Sequence, residues 1–199
     1  MEFENFEKVP PEKRRAIINA GFTCFSRAGY QKTAMSEIAV AAGVSKAALF
    51  HYFGTKKDLY CFLFKFSCDE ISDKIPQGSS DFFECIGIGT QAKLAVIGNY
   101  PGMYDFLVSV VKNIDAETED LLREANAHAI DEGVKTLFAN VEWSRFKPEV
   151  SRQDAISMVT WISEGYLRDN ADKPQEMILW EIRRYLDLLK LTLYREEYL

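Results

Sequence analysis

The segment Thr33–Tyr60, TAMSEIAVAAGVSKAALFHYFGTKKDLY, predicts two short helices joined at a glycine, followed by the start of a third helix. Gly43 lies where the first helix must end in a left-handed residue, a conformation that costs glycine little. Ala39 is small enough for two helices to cross closely, and Val44 and Leu49 can bury the inner face of the second helix. This spacing is typical of a helix-turn-helix, whose second helix keeps its outer face free to enter a DNA major groove.

Charge is distributed unevenly along the 199 residues. The formal net charge is −6. Residues 1–60 hold nine Lys/Arg and six Asp/Glu, whereas the rest of the chain holds fifteen Lys/Arg and twenty-four Asp/Glu. The basic excess therefore coincides with the helix-turn-helix, and the local field matters more than net charge for docking on phosphate. We expect the acidic remainder to repel DNA and to help orient the molecule.

The composition is that of an ordinary globular protein, with 47% hydrophobic and 27% charged residues. The N-terminus lacks the apolar core of a secretory signal, and the uncharged run 94–104 is too short to span a bilayer and contains Pro101. We therefore expect a cytoplasmic protein without membrane contact. Its four cysteines lack CxxC pairing and are most simply buried thiols, with a redox-sensing pair as the weaker alternative.

Helical periodicity continues along the chain, so we predict an all-α fold of about nine helices. A DNA-binding domain is expected at 1–54 and a second helical domain at 55–199, to which the resemblance described next assigns ligand binding and dimerisation. Pro10-Pro11 precede the first helix, which Gly29 should end. Further helices are predicted at about 55–75, 81–99, 102–114, 116–141, 152–169 and 174–196. The predicted helix caps are Thr33 or Ser36, Ser45, Thr55 and Ser151.

The first third of the chain also resembles the DNA-binding domain of TetR-type transcriptional regulators. The resemblance runs from about Lys13 to Leu59, and matching residues at fixed spacing include Phe25, Gly29-Tyr30, Thr33, Ile38-Ala39, Ala42-Gly43-Val44-Ser45, Leu49-Phe50, Tyr52-Phe53 and Lys56. It implies an N-terminal helix-turn-helix followed by a helical bundle, a homodimer, and a small-molecule inducer enclosed in that bundle. Beyond residue 60, only length and helical character are similar to the family.

The second helix of the motif, predicted at 46–53, should carry the contacts with DNA. Lys46 can bond either a guanine edge or a phosphate, and Ala47 and Ala48 permit close approach or contact with a thymine methyl group. Phe50 stands where the family commonly has tyrosine, so a hydroxyl contact made by relatives is absent here. The resemblance implies a DNA contact for His51, which could otherwise be a solvated histidine.

The remaining predicted contacts are to phosphate. Tyr52 resembles the phosphate-binding aromatic residue of the family, and it can also simply pack within the domain. Lys56 and the amides of its helix N-terminus can hold one phosphate together, unless Lys56 is a free surface lysine. The full predicted DNA-binding set is Thr33, Ser45, Lys46, Ala47, Ala48, Phe50, His51, Tyr52 and Lys56.

Aromatic residues are frequent after residue 100, and some are candidates for lining an inducer pocket. We predict that the pocket is bordered by some of Tyr104, Phe106, Trp161 and Tyr166, although each could equally be a core residue. Their rings supply apolar walls, and no cluster of Lys or Arg accompanies them. The expected inducer is therefore a mainly apolar, neutral or weakly charged small molecule.

The last helix is apolar on two sides. One stripe contains Ile178, Ile182, Leu186 and Leu193, and the opposite one contains Met177, Trp180, Leu188 and Leu191. A helix that is apolar on two sides is buried on two sides, so we expect one stripe to face the core. We predict that the other stripe, with Trp180, Leu188 and Leu191, faces a second subunit; burial within the monomer is the alternative.

These observations favour a transcriptional regulator, specifically a repressor released by an inducer and working as a homodimer on a palindromic operator. An activator without a small-molecule ligand, or a helical protein-interaction module without a DNA role, is the alternative. An enzyme is disfavoured because the chain has no metal-ligand spacing, glycine-rich phosphate loop or nucleophile motif. No cofactor or metal is expected. The sequence does not identify the inducer, the operator or the regulated genes.

Overall fold

The structure, a computed structural model, describes residues 3–112, 115–170 and 172–199, apart from the side chains of 126–130 and 132. These residues form ten α-helices and two 3-10 segments, and the only β-structure among them is one antiparallel bridge between Phe146 and Tyr194. The predicted all-α class is confirmed, with one helix more than expected. The helices are α1 Glu4–Glu7, α2 Pro11–Lys32, α3 Met35–Ala41, α4 Lys46–Phe53, α5 Lys56–Ser72, α6 Phe82–Ile97, α7 Met103–Lys112, α8 Glu119–Leu137, α9 Arg152–Asp169 and α10 Gln175–Leu193; the 3-10 segments are Trp143–Arg145 and Glu196–Tyr198.

Helices α3 and α4 form the predicted helix-turn-helix. Gly43 has a φ of 66°, the left-handed conformation that the turn requires. The Ser45 hydroxyl accepts a hydrogen bond from the Ala48 amide and caps α4, whose bounds match the prediction. Leu49 and Phe53 are buried on its inner face. Short-range signals therefore predicted this motif correctly.

Gly29 interrupts the helix as predicted, with a non-helical φ of 74° and ψ of 172°, and a short helical turn then completes α2 to Lys32. The predicted cap of α3 was wrong. Neither Thr33 nor Ser36 caps α3, because the N-cap position is occupied by Ala34, which has no side-chain oxygen. The Glu37 carboxylate accepts a hydrogen bond from the Ala34 amide at this helix start. The Thr33 hydroxyl points into the fold and bonds the Gly29 carbonyl oxygen.

The described contacts group into two compact units. The first comprises 1–74 and 93–133, and the second comprises 75–92 and 134–199, so α6 and α8 contribute to both. The expected division of the chain at residue 54 stays a prediction. None of the helices in the described ranges has the length and apolar character needed to cross a membrane.

In the first unit, α7 packs along α2 beneath the helix-turn-helix. Phe106 of α7 is fully buried, and its ring centroid lies 5.2 Å from that of Phe22 and 5.3 Å from that of Tyr60. The turn before α7 passes very close to α2: a side-chain carbon at Gly102 would lie 3.1 Å from the Thr23 hydroxyl oxygen, and φ there is 81°. Only glycine meets both requirements without strain.

In the second unit, the buried carboxylate of Asp81 connects three segments. One oxygen accepts hydrogen bonds from the Phe83 and Glu84 amides and so caps α6, while the other lies 2.8 Å from Lys190 Nζ and 3.4 Å from Arg145 Nη1. Burial alone would raise the pKa of Asp81, but the Lys190 ammonium and these amides outweigh it and lower that pKa. The network stabilises the unit while the carboxylate is ionised.

Candidate functional site

The outer face of α4 presents a mixed polar and apolar surface. Lys46, Ala47, Phe50 and His51 are exposed, and Ala48 is half-buried. Phe50 is 41% exposed, and Lys46 Nζ lies 5.7 Å from the centre of its ring. The polar donors of this face are therefore a lysine and a histidine, separated by methyl groups and a phenyl ring.

The C-terminal turn of α4 packs inside the domain, and an exposed serine caps its N-terminal turn. Tyr52 is half-buried with its ring centroid 6.0 Å from that of Phe6, and Phe53 is buried. The Ser45 hydroxyl oxygen lies 3.1 Å from the Ala48 amide nitrogen that it caps. Ser45 therefore sets the orientation of the first turn of α4, the turn that carries Lys46.

Lys56 is held in place by the end of α2. Its ammonium group donates hydrogen bonds to the carbonyl oxygens of Tyr30 at 2.8 Å and Gln31 at 3.1 Å, and it lies 4.5 Å from the centre of the Tyr30 ring. The alternative of a free surface lysine is therefore wrong. An ammonium group has three donors, so one N–H remains beyond these two bonds. This positions a positive charge at the N-terminus of α5.

Thr33 is buried, unlike the other predicted DNA-contacting residues. Only 2% of its surface is exposed, and its hydroxyl donates at 2.7 Å to the Gly29 carbonyl oxygen and lies 3.2 Å from that of Cys24. The Gly29 carbonyl oxygen also accepts from the Thr33 amide, so both donors of Thr33 bond the end of α2. In this arrangement Thr33 supports the end of α2 and does not present a donor to solvent.

The connection between α7 and α8 reaches the same end of α2, which the sequence did not predict. The Gln31 side-chain amide donates to the Asp115 carboxylate at 2.7 Å. The pKa of Tyr30 is raised, first by burial and then by its hydrogen bond to Glu117. Residues 115–117 therefore contact the residues that hold Lys56. No local pattern signals this contact, because the partners are 84 positions apart.

The four predicted pocket residues have different environments in two units. Phe106 is core in the first unit, where Tyr104 is half-buried. On α9 of the second unit, Trp161 is 71% exposed, while Tyr166 is half-buried with its ring 5.8 Å from that of Tyr185. The four rings therefore do not share one environment.

The outer stripe of α10 is exposed, as its pattern indicated. Trp180 is 63% exposed, Leu188 51% and Leu191 58%, while Ile178, Leu186 and Leu193 of the other stripe are buried. Trp161 adds a further exposed ring on α9, the helix against which α10 packs. Each of the two last long helices therefore leaves large apolar side chains exposed in the single chain.

The fold and the outward-facing second helix of its motif define a helix-turn-helix DNA-binding protein. Residues 17–60 match the family of bacterial regulatory proteins, tetR family. The chain is 28% identical to the HTH-type transcriptional regulator RutR of Escherichia coli (strain K12) over 162 residues, which cover 80% of this chain and 75% of RutR. Residues 17–60 therefore form a DNA-binding domain of the tetR type, and most of the chain is similar to a transcriptional regulator.

Other similarities agree with this assignment. Over 70 residues, the chain is 36% identical to the HTH-type transcriptional regulator HbdR of Aromatoleum sp. (strain CIB), covering 35% of this chain and 31% of HbdR. The structure of the fatty acid degradation regulator FadR from Bacillus halodurans superposes with a TM-score of 0.69 at 18% identity, covering 86% of this chain and 96% of FadR. At that identity the superposition supports the fold alone.

Proposed function

We propose that this chain is a cytoplasmic, homodimeric repressor that binds a palindromic operator through α4 and is released from it by a small, mainly apolar molecule. The observation that carries the proposal is the exposed face of α4, Lys46, Ala47, Phe50 and His51, on a TetR-type DNA-binding domain. In a two-fold dimer, two such helices would enter successive major grooves about 34–36 Å apart.

The chemistry of this face favours a particular kind of half-site. Lys46 can bond the O6 and N7 acceptors of guanine, whereas Ala47 and Phe50 offer only apolar contact, which suits the methyl group of thymine. His51 adds one donor on the same face. We therefore expect a half-site that combines guanine with adjacent thymines. Lys56, oriented by Tyr30 and Gln31, is proposed to bind a phosphate.

The base contacts are tested by selecting an operator from random duplexes and then replacing its thymines one at a time with uracil, which removes only the methyl group. Loss of one buried methyl is worth about 0.8 kcal/mol, or about fourfold in affinity. In each half-site we expect one or two thymines whose replacement by uracil weakens binding. In the Phe50→Ala variant, the same replacements should no longer change the affinity. If no thymine is sensitive, the proposed readout by Ala47 and Phe50 is wrong; if no operator is selected, sequence-specific binding itself fails.

The dimer proposal is supported by the apolar surface of α9 and α10. An exposed tryptophan and two exposed leucines lie along a single side of the last long helix, and Trp161 lies on its neighbour. Large apolar side chains exposed along one side of a helix are typical of interaction sites. A two-fold axis passing near α10 would bring the two copies of this surface together, as an isologous interface requires.

Of the four aromatic residues predicted to border the inducer pocket, we retain two. Phe106 supports the helix-turn-helix from within the core, and the exposure of Trp161 fits an interface better than a pocket wall. Tyr104 and Tyr166 keep half-buried rings with hydroxyl groups, the combination that orients a polar group within an apolar site. We propose Tyr104 as a candidate pocket residue of the first unit and Tyr166 as a candidate pocket residue of the second unit.

Repression is distinguished from activation by a reporter gene placed behind the selected operator. A repressor lowers reporter output when it is expressed, and a screen of small apolar molecules should yield compounds that restore output and also raise the melting temperature of the purified protein. Increased output on expression would instead identify an activator. A set of compounds that restore output without any thermal shift would contradict direct inducer binding.

A further inference from the structure

The N-terminal segment 3–9 precedes residues 17–60, which match the DNA-binding domain, yet its side chains belong to the core of that domain. Phe6 is 3% exposed and Val9 is buried, and Phe3 packs against the same cluster. Helix α1 has only four residues, far fewer than a helix needs to be stable by itself in water. Its conformation is therefore maintained by the burial of these side chains.

The rings of this segment contact α4, here called the recognition helix, and α5, which follows it. The Phe6 ring centroid lies 4.7 Å from that of Phe53 and 6.0 Å from that of Tyr52, both in the last turn of α4. Phe6 and Phe3 also lie 5.2 Å and 5.4 Å from Phe62 of α5. Segment 3–9 thus covers the junction between α4 and α5.

The recognition helix depends on such contacts for its position. It has eight residues, so side-chain packing rather than intrinsic helix stability decides its orientation. Its first turn is secured by the Ser45 cap, and Leu49 packs into the domain core. Its last turn ends at Gly54 and has the rings of α1 and α5 as neighbours.

We propose that Phe3 and Phe6 are positioning residues for the recognition helix, which hold its last turn against α5 and thereby fix the angle at which α4 presents its outer face. The inference rests on the proposed reading of an operator by α4. Direct contact of this segment with DNA is disfavoured, because its exposed side chains, Glu4, Asn5, Glu7 and Lys8, carry a net negative charge, and the one cation among them, Lys8, lies 3.9 Å from the Glu4 carboxylate.

The experiment uses the full chain with Phe6→Ala, the conservative Phe6→Leu, and Glu7→Gln as an exposed control in the same segment. Dissociation constants are measured for the selected operator and for a random duplex at one salt concentration, well below the unfolding temperature. Base readout needs hydrogen-bond geometry, whereas attraction to phosphate does not. We expect Phe6→Ala to weaken operator binding about tenfold or more and random-duplex binding less than about twofold. Phe6→Leu and Glu7→Gln should each preserve the ratio of the two affinities.

Hydrogen exchange supplies a readout that does not require an operator. In Phe6→Ala, amides of residues 50–53 should exchange faster while those of residues 17–28 in α2 stay unchanged. Equal acceleration in α2 and α4, or an equal loss of affinity for both duplexes, would show a role in general stability and overturn the inference. Phe3→Ala, which removes a half-buried ring, repeats the test if Phe6→Ala does not fold. If the wild type prefers no duplex, the operator proposal fails, while hydrogen exchange still decides whether the segment positions α4.

Discussion

Replacing Leu188 with glutamate tests the proposed dimer at the centre of its apolar surface. With successive residues about 100° apart around a helix, Met177, Trp180, Leu188 and Leu191 fall within about 80° of arc on α10. All four are exposed in the single chain. The Leu188→Glu substitution places a carboxylate within this stripe and leaves the buried stripe of Ile178, Leu186 and Leu193 unchanged.

The size of the effect follows from the exposure of Leu188. Complete burial of a leucine side chain is worth about 1.5–3 kcal/mol, and 51% of Leu188 remains to be buried, so each copy contributes about 1 kcal/mol to association. Two-fold symmetry doubles this to about 2 kcal/mol, which corresponds to about a thirtyfold weaker dimer. Desolvation of two carboxylates at the same interface would weaken it further.

Sedimentation velocity over a range of protein concentrations measures this change, and circular dichroism establishes that the variant remains folded. Arg183→Glu is the matched control, because it puts the same carboxylate at an exposed position of α10 outside the apolar stripe. We expect Leu188→Glu to dissociate to monomers that bind the full operator poorly and Arg183→Glu to remain dimeric. A wild type that sediments as a monomer at micromolar concentration, or variants that dimerise equally well, would refute the argument.

Three further predictions concern phosphate binding, acid stability and thiol reactivity. Lys56→Ala should weaken binding to all duplexes alike and flatten the salt dependence by about one unit, whereas Lys65→Ala farther along α5 should not; an unchanged slope would contradict the phosphate role. Because the pKa of Asp81 is lower in the folded than in the unfolded state, its contribution is complete above its ordinary pKa and is lost as pH falls through the folded value. Asp81→Asn should therefore cost about 2 kcal/mol at neutral pH, and its stability deficit by urea unfolding should shrink below about pH 4; a deficit constant from pH 7 to 3 would show that ionisation is not involved. Burial raises the pKa of Cys61 to about 11, so iodoacetamide at pH 8 should label it only on the timescale of unfolding, and rapid labelling of the native protein would contradict this.

The sequence by itself determined the elements whose causes lie within a few residues. Gly43 specifies the turn, Ser45 caps α4, and Pro11 occupies the first position of α2 because a missing amide costs nothing there. Thr55 caps α5 as predicted, its hydroxyl oxygen accepting from the Asp58 amide, and Ser151 and Asp154 form the predicted capping box of α9. Hydrophobic spacing also distinguished the buried from the exposed stripe of α10. Each of these signals acts over one or two helical turns and can be read directly from the chain.

Only the tertiary structure decided which distant groups meet. The Thr33 hydroxyl donates inward to the Gly29 carbonyl oxygen, and Lys56 donates to the Tyr30 and Gln31 carbonyl oxygens at the C-terminal end of α2. The N-terminal segment lacks the apolar core of a secretory signal and gave no local sign of burial, yet Phe6 is buried against α4. Burial and hydrogen bonding between residues far apart in sequence depend on how the helices pack, and no local pattern encodes that packing.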